Sequence, residues 1–345
     1  MKQLIFVLIL ITFYSCANGD YKITLSNRLQ EIKAFSEYDN TPVVYPDSFR
    51  IKIYSYNNKD FNPYHPYQFL RDSAKIDDLV NLVQDENPFV RTYAFGALQQ
   101  RGYVDLFSIL IDKLSDTTKI STFTDDYGYA STPPDMMLTY IAQDLNSIQK
   151  DSVSDLIIRK YKHLKTLDDI LLFHKPKPEH YSFIREIAQD GLKGKFALVA
   201  LARYQRLEDI PIIDAGWNYT DYFSGYKVFF MAIEEFNHPE FIHGLLKYKA
   251  SINKGWDNQG HDYYFNALAK YKDEECTKVI QEFIDVKEYK SEAYKLNNLR
   301  MIRRALKKYY SEEYDKMLKD IETKFTIQEE LDYDDNHLYL NPWNY

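Results

Sequence analysis

Five stretches of this chain align without a gap, and that repetition limits the fold more than any other feature. They are ALQQRGYVDLFSIL from Ala97, ALARYQRLEDIPII from Ala200, AIEEFNHPEFIHGL from Ala232, ALAKYKDEECTKVI from Ala267 and ALKKYYSEEYDKML from Ala305. Each opens with Ala followed by Leu or Ile. Four have an aromatic ring four residues on: Tyr204, Phe236, Tyr271 and Tyr309, with Arg101 the exception. All five carry an acid eight residues on: Asp105, Glu208, Glu240, Glu275 and Glu313. All five carry an aliphatic residue thirteen on: Leu110, Ile213, Leu245, Ile280 and Leu318. The Ala-Leu-x-x-aromatic set suits the end of one helix, with the small Ala where helices approach closely. The acid suits the start of the next helix, where it complements the helix dipole. The aliphatic residue belongs to that helix's buried face.

The opening alanines are 103, 32, 35 and 38 residues apart. The first interval is about three periods, so two divergent repeats are expected between residues 97 and 200. A period of 32–38 residues holding two helices predicts an all-α chain of the α-solenoid type. Composition agrees. There are 11 Gly and 12 Pro among 345 residues, roughly half the usual share. That argues for long helices and against a turn-rich sandwich or barrel. The net charge of −8 gives no electrostatic footprint for nucleic acid.

The segment IDDLVNLVQDENPFVRTYAFGALQQRG, Ile76 to Gly102, resembles a HEAT repeat. It has an apolar helix, then Asp85 and the pair Val90-Arg91 across a turn with Pro88, then a helix with Ala94 and Ala97-Leu98. The resemblance implies that Asp85, Val90 and Arg91 are structural motif residues, with the Asp and Arg forming a ladder between neighbouring turns. It also implies scaffolding and protein–protein contact. Asn87-Pro88 is expected to break the first helix, because Pro cannot continue it.

Residues 1–15 read as a secretory signal, with Lys2 followed by an apolar run too short to span a bilayer. Phe13-Tyr14-Ser15-Cys16 resembles a bacterial lipobox. That implies cleavage before Cys16 and attachment of acyl chains such as palmitate to it, which anchors the protein in a lipid bilayer. Secretion across the inner membrane follows, and Ala17 after the cysteine favours the outer membrane. The alternative is cleavage after Ala17 and full secretion. Cys276 then stands alone, and its apolar-periodic surroundings predict a packed core thiol.

The remaining segments divide accordingly. Residues 16–70 hold the lipidated start, a first helix near Ile23–Phe35 and an irregular cap with a possible short strand at Phe49–Ile53. Residues 71–324 hold the repeats, interrupted by an insertion at 116–134 in which Asp125-Asp126-Tyr127-Gly128 suggests a hairpin turn. Residues 325–345 carry five acids, five aromatic residues and no Lys or Arg. They are expected to fold back over the basic helix that contains Arg300, Arg303, Arg304, Lys307 and Lys308.

Chemistry-bearing motifs are sparse. His-Glu-x-x-His, paired Cys-x-x-Cys, Gly-x-Ser-x-Gly and phosphate-loop patterns do not occur in the sequence. No cofactor is expected, and the chain reads as a non-catalytic scaffold with a protein partner. A carboxylate-dependent enzyme without a motif is one alternative. The other is glycan binding. Trp217-Asn218 and Trp256-Asp257 lie 39 residues apart, about one repeat, so their loops fall along one edge. Trp217, Asn218, Trp256 and Asp257, with Tyr127 and Tyr129 of the insertion, are the candidate contacts. The competing view is that each Trp anchors its loop between repeats.

Overall fold

In the computed structural model the described residues are 20–34, 64–124, 127–190, 195–218, 225–252, 260–286 and 292–324. They form seventeen α-helices and one two-stranded hairpin, so the fold is all-α. Cys16, the possible strand at 49–53, Trp256, Asp257 and the segment 325–345 lie outside the described residues. The chain divides into two compact units, Met1–Leu167 and Asp168–Tyr345.

The first unit holds α1 (20–34), α2 (Tyr64–Asp72), α3 (Ile76–Leu82), α4 (Pro88–Gln100) and α5 (Leu106–Lys113). Then come β1 (Ile120–Thr124), β2 (Tyr127–Ser131), α6 (Pro133–Ile141) and α7 (Ser147–Lys160). The unit boundary falls in the first turn of α8 (Thr166–Phe173). The helix α4 is the centre of this unit. It packs on α2, α3 and α6. Ten consecutive residues, Phe89 to Leu98, are buried, so α4 is covered all round rather than amphipathic. Its small residues make that possible. A Cβ on Gly96 would sit 3.2 Å from the Tyr140 ring of α6.

Pro88 plays a different part from the one expected of it. The helix α3 already ends at Leu82. Pro88 instead opens α4, where its missing N–H is no loss. Asn87 caps that helix by accepting from the N–H groups of Phe89 at 3.0 Å and Val90 at 3.2 Å.

The hairpin joins α5 to α6. Its register runs from Ile120 opposite Ser131 to Thr124 opposite Tyr127. Tyr127 and Gly128, assigned to the turn by sequence, therefore belong to β2. Only residues 125–126 lie between the strands, the length that best matches strand twist.

The second unit continues with α9 (Tyr181–Ala188), α10 (Lys195–Ala202), α11 (Ile210–Ala215), α12 (Gly225–Glu235) and α13 (Ile242–Ile252). It closes with α14 (His261–Tyr271), α15 (Glu274–Asp285), α16 (Glu292–Lys308) and α17 (Asp315–Glu322). Here α10 packs on α12, α12 on α14 and α14 on α16. On the other side α13 packs on α15 and α15 on α17. Ala200, Ala232, Ala267 and Ala305 are all buried within the first row, as are their Leu or Ile neighbours.

The repeat positions map onto this framework. Each Ala-Leu/Ile pair lies in the last turns of α4, α10, α12, α14 or α16. Each acid lies at or just before the start of the following helix. Leu110, Ile213, Leu245 and Ile280 are buried. Leu318 is only half-buried, and Met317 and Ile321 enter the core in its place. In sequence order, α5/α6 and α7/α8 are the two helix pairs between the unit ending at Gln100 and the pair α9/α10.

In three of the five repeats the residue at the aromatic position ties the repeat to the one before. The Tyr204 hydroxyl donates to the Lys177 carbonyl at 2.7 Å and accepts from the Lys177 N–H at 3.1 Å. Tyr271 donates to the His238 carbonyl at 2.8 Å. Both carbonyls lie in the connector just ahead of the preceding repeat's outer helix. Arg101, the exception in the alignment, does the same, donating to the carbonyl of Ala74 ahead of α3. The residue after each of these three takes the left-handed conformation that ends a helix: Gly102 (φ 66°), Gln205 (φ 52°) and Lys272 (φ 52°). Only Gly102 adopts it without steric cost.

Candidate functional site

Of the five large apolar side chains exposed among the described residues, Val104, Leu207 and Tyr310 lie between helices, while Ile23 lies in α1 and Ile148 in α7. Val104, between α4 and α5, is 96 % exposed. Leu207, between α10 and α11, is 65 % exposed. The two occupy the same repeat position, immediately before the acid at Asp105 or Glu208. Tyr310, between α16 and α17, is 53 % exposed, and its hydroxyl donates to Asp315 at 2.8 Å. Ile148, the second residue of α7, is 76 % exposed. Isolated apolar residues are ordinary on a surface. Val104 and Leu207 share one repeat position in sequence, one in each unit.

The turn between α3 and α4 lies beside an open polar groove of about 340 Å³. Asp85, Glu86, Asp112 and Asp116 line it with Arg91 and Lys113. Arg91 is buried, and its guanidinium donates to the carbonyls of Asp85 at 2.8 Å and Glu86 at 2.9 Å. It pairs with Asp116 at 2.6 Å, beyond the end of α5. Asp85 meets Lys33 of α1 at 3.0 Å. The two motif residues therefore reach in opposite directions along the chain. Val90 is fully buried between them in sequence. Burial pushes the Asp116 carboxyl up. Hydrogen bonds from Thr118 and the Arg91 charge outweigh that, and it ends below the usual carboxylate value.

Trp217 is half-buried in a set of rings. Tyr226 and Phe229 of α12 lie 5.4 and 5.2 Å from it, centroid to centroid, and Tyr248 of α13 lies 6.1 Å away. Lys247 covers it at 5.9 Å. Such packing holds the segment after α11 against the next helix pair. The side chains of Asn218, Tyr127 and Tyr129 lie outside the described residues, as do Trp256 and Asp257, so the described structure does not bring these candidates together.

Sequence reasoning did not single out the buried carboxylates. Asp135 accepts from the Thr132 hydroxyl at 2.7 Å, and from the Thr166 N–H at 3.0 Å and hydroxyl at 2.9 Å. Asp209 accepts from Tyr181 and from Arg185, both at about 2.9 Å. Each holds one helix start to another segment. Only Thr132 is close to its partner in sequence; Thr166, Tyr181 and Arg185 lie 24–31 residues away from theirs, so these pairings follow only from the topology. Cys276 is fully buried, and burial with Asp273 and Glu275 nearby pushes its thiol up to about 12. It is a neutral thiol at pH 7.

Among the described residues no three or more His, Cys, Asp or Glu side chains are placed to hold a metal. Among the same residues no helix is long and apolar enough to cross a membrane. Comparison with protein families, curated proteins and solved structures finds no match for this chain.

Proposed function

We propose that this chain is a lipid-anchored protein of the bacterial cell envelope, outer membrane included, whose HEAT-like α-solenoid binds a protein partner. The carrying observation is the return of exposed apolar side chains, Val104 and Leu207, at one connector position of the repeat. Apolar residues held rigidly at the tips of helix pairs make contact area at low entropic cost. The lipobox-like Phe13-Tyr14-Ser15-Cys16 supports the anchor. The test is site-specific photo-crosslinking in the intact acylated protein in membranes. A probe at Val104 or Leu207 should capture one discrete partner, and a probe at exposed Lys160 at the end of α7 should not. Equal, diffuse capture at both kinds of site overturns the reading. Cys16→Ala should release the chain from membranes; retention with continued fatty-acid labelling overturns the anchor.

Glycan binding through Trp217 draws less support. Four neighbouring rings and Lys247 already occupy the surroundings of that indole.

A further inference from the structure

Three large apolar side chains are exposed among the described residues of the first unit, Ile23, Val104 and Ile148, and all three sit at one edge of it. Hydrogen bonds fix that edge. The Tyr21 hydroxyl of α1 donates to Asp78 at 2.6 Å and accepts from the Lys75 N–H at 2.8 Å, so the start of α1 lies beside the start of α3. Arg101, just past the end of α4, donates to the Ala74 carbonyl. That brings Val104 and the start of α5 to the same place. Gln99 donates to Asp144 at 3.0 Å, four residues before Ile148 in the first turn of α7. The starts of α1, α3, α5 and α7 therefore share an edge.

The far edge has different chemistry. Lys33 near the end of α1 meets Asp85 beyond the end of α3 at 3.0 Å, and Lys113 at the end of α5 donates to Gln84. The acid-lined groove of Asp85, Glu86, Asp112 and Asp116 opens there. An acylated Cys16 distinguishes the two edges. Only residues 17–19 separate it from Asp20, the first residue of α1. Four Cα steps reach at most about 14 Å, so the start edge is held close to the head groups. The acidic groove lies a helix length away from that edge, about 22 Å. The start edge is not a basic surface of the kind that anionic lipid attracts. Asp20, Asp77, Asp105 and Asp144 are exposed on it beside Lys22, Lys75 and Arg101. Single aliphatic tips on fixed helix starts, within a mixed polar rim, have the composition of a protein contact.

We propose that the partner of this chain is a protein seated in the same bilayer, met at the membrane surface by the edge that carries Ile23, Val104 and Ile148. This rests on the anchored, partner-binding reading above and adds the place of contact and the kind of partner. The acidic groove points away from the membrane and stays clear of the contact.

The test uses the full acylated chain in its native membranes, with a protease site inserted between Gly19 and Asp20. Photo-crosslinking probes at Ile23, Val104 and Ile148 should give one and the same protein adduct. It should be at least about tenfold more abundant than with a probe at Ser115 in the groove, because an interface of standard size covers one edge only. After the protease removes the anchor, the adduct should stay in the membrane pellet through an alkaline wash while unreacted chain is released. An adduct that is released with the chain overturns the proposal, because its partner is then not seated in the bilayer. Adducts of phospholipid alone overturn it, because the edge then lies on lipid. Capture at Val104 without capture at Ile23 and Ile148 keeps a partner and overturns this edge, as does equal capture at Ser115. No protein adduct at any of the three sites overturns the partner reading together with this one. A parent chain that takes no fatty-acid label is a separate failure, that of the anchor, and removes the reason for placing the edge at the membrane.

Discussion

The two units solve the same problem with different chemistry. In the first, successive segments are joined by charge: Lys33 to Asp85, then Arg91 to Asp116. In the second, ion pairs such as Arg185 to Asp209 and Arg203 to Glu235 recur, and a run of rings is added to them. Trp217, Phe229, Phe230, Tyr248, Tyr264, Phe265 and Phe283 form a chain of contacts from the turn after α11 to α15, each 4.7–6.0 Å from a neighbour. An ion pair in a partly dry turn is directional and fails when one partner goes. An aromatic stack is tolerant in angle and indifferent to salt. The difference teaches that this repeat conserves position and spacing while the bonding at each position is free to change.

Seven substitutions sharpen that contrast, best read by segment-resolved exchange because the units need not unfold together. The largest effect belongs to the rings. Phe230→Ala should destabilise the second unit by about 4 kcal/mol, with no dependence on salt. Next comes Asp116→Asn in the first unit. It leaves the buried Arg91 charge without its carboxylate and should cost about 3 kcal/mol. Acid should mimic it. The folded carboxyl titrates below its ordinary 3.8, so its contribution is intact above that value and is lost as pH falls through the lower folded value. Protection of α4 that does not fall at all as the pH is lowered below 3.8 would remove the charge-based account of this unit.

The hydroxyl ties are smaller. Tyr204→Phe and Tyr271→Phe should each cost about 1 kcal/mol, because a connector carbonyl loses its donor while the ring stays. A loss at Tyr204 spread evenly over both units would contradict its local role. The smallest effect has the opposite sign. Gln205→Gly or Lys272→Gly should stabilise by about 0.5 kcal/mol, since each side chain now sits at positive φ. The same change in reverse, Gly102→Ala, should destabilise by about 1 kcal/mol.

Much of the framework was legible in sequence because it rests on spacing. Ala200, Ala232, Ala267 and Ala305 each sit at a close helix approach, and small residues recurring at a fixed interval announce that directly. Bonding was less legible. Arg101 breaks the aromatic pattern on paper, yet its guanidinium reaches the same connector carbonyl as the tyrosines, because both are long and end in a donor. The Asp85 and Arg91 partners, Lys33 and Asp116, lie outside the motif and become visible only when the neighbouring helices are in place. Pro88 was read as a helix breaker, although the same missing N–H also suits the first position of a helix. Of the candidate contacts, only Trp217 has its side-chain surroundings described, and there the rings of α12 and α13 could be anticipated only from topology.

The ties from Arg101, Tyr204 and Tyr271 all point backwards, over 27, 27 and 33 residues. That direction gives the chain an order of assembly. A chain emerging amino end first presents each connector before the residue that fastens it. Each helix pair fastened in this way is provisional until roughly one more period has appeared. At these three places assembly can advance like a zip with a delay of one tooth.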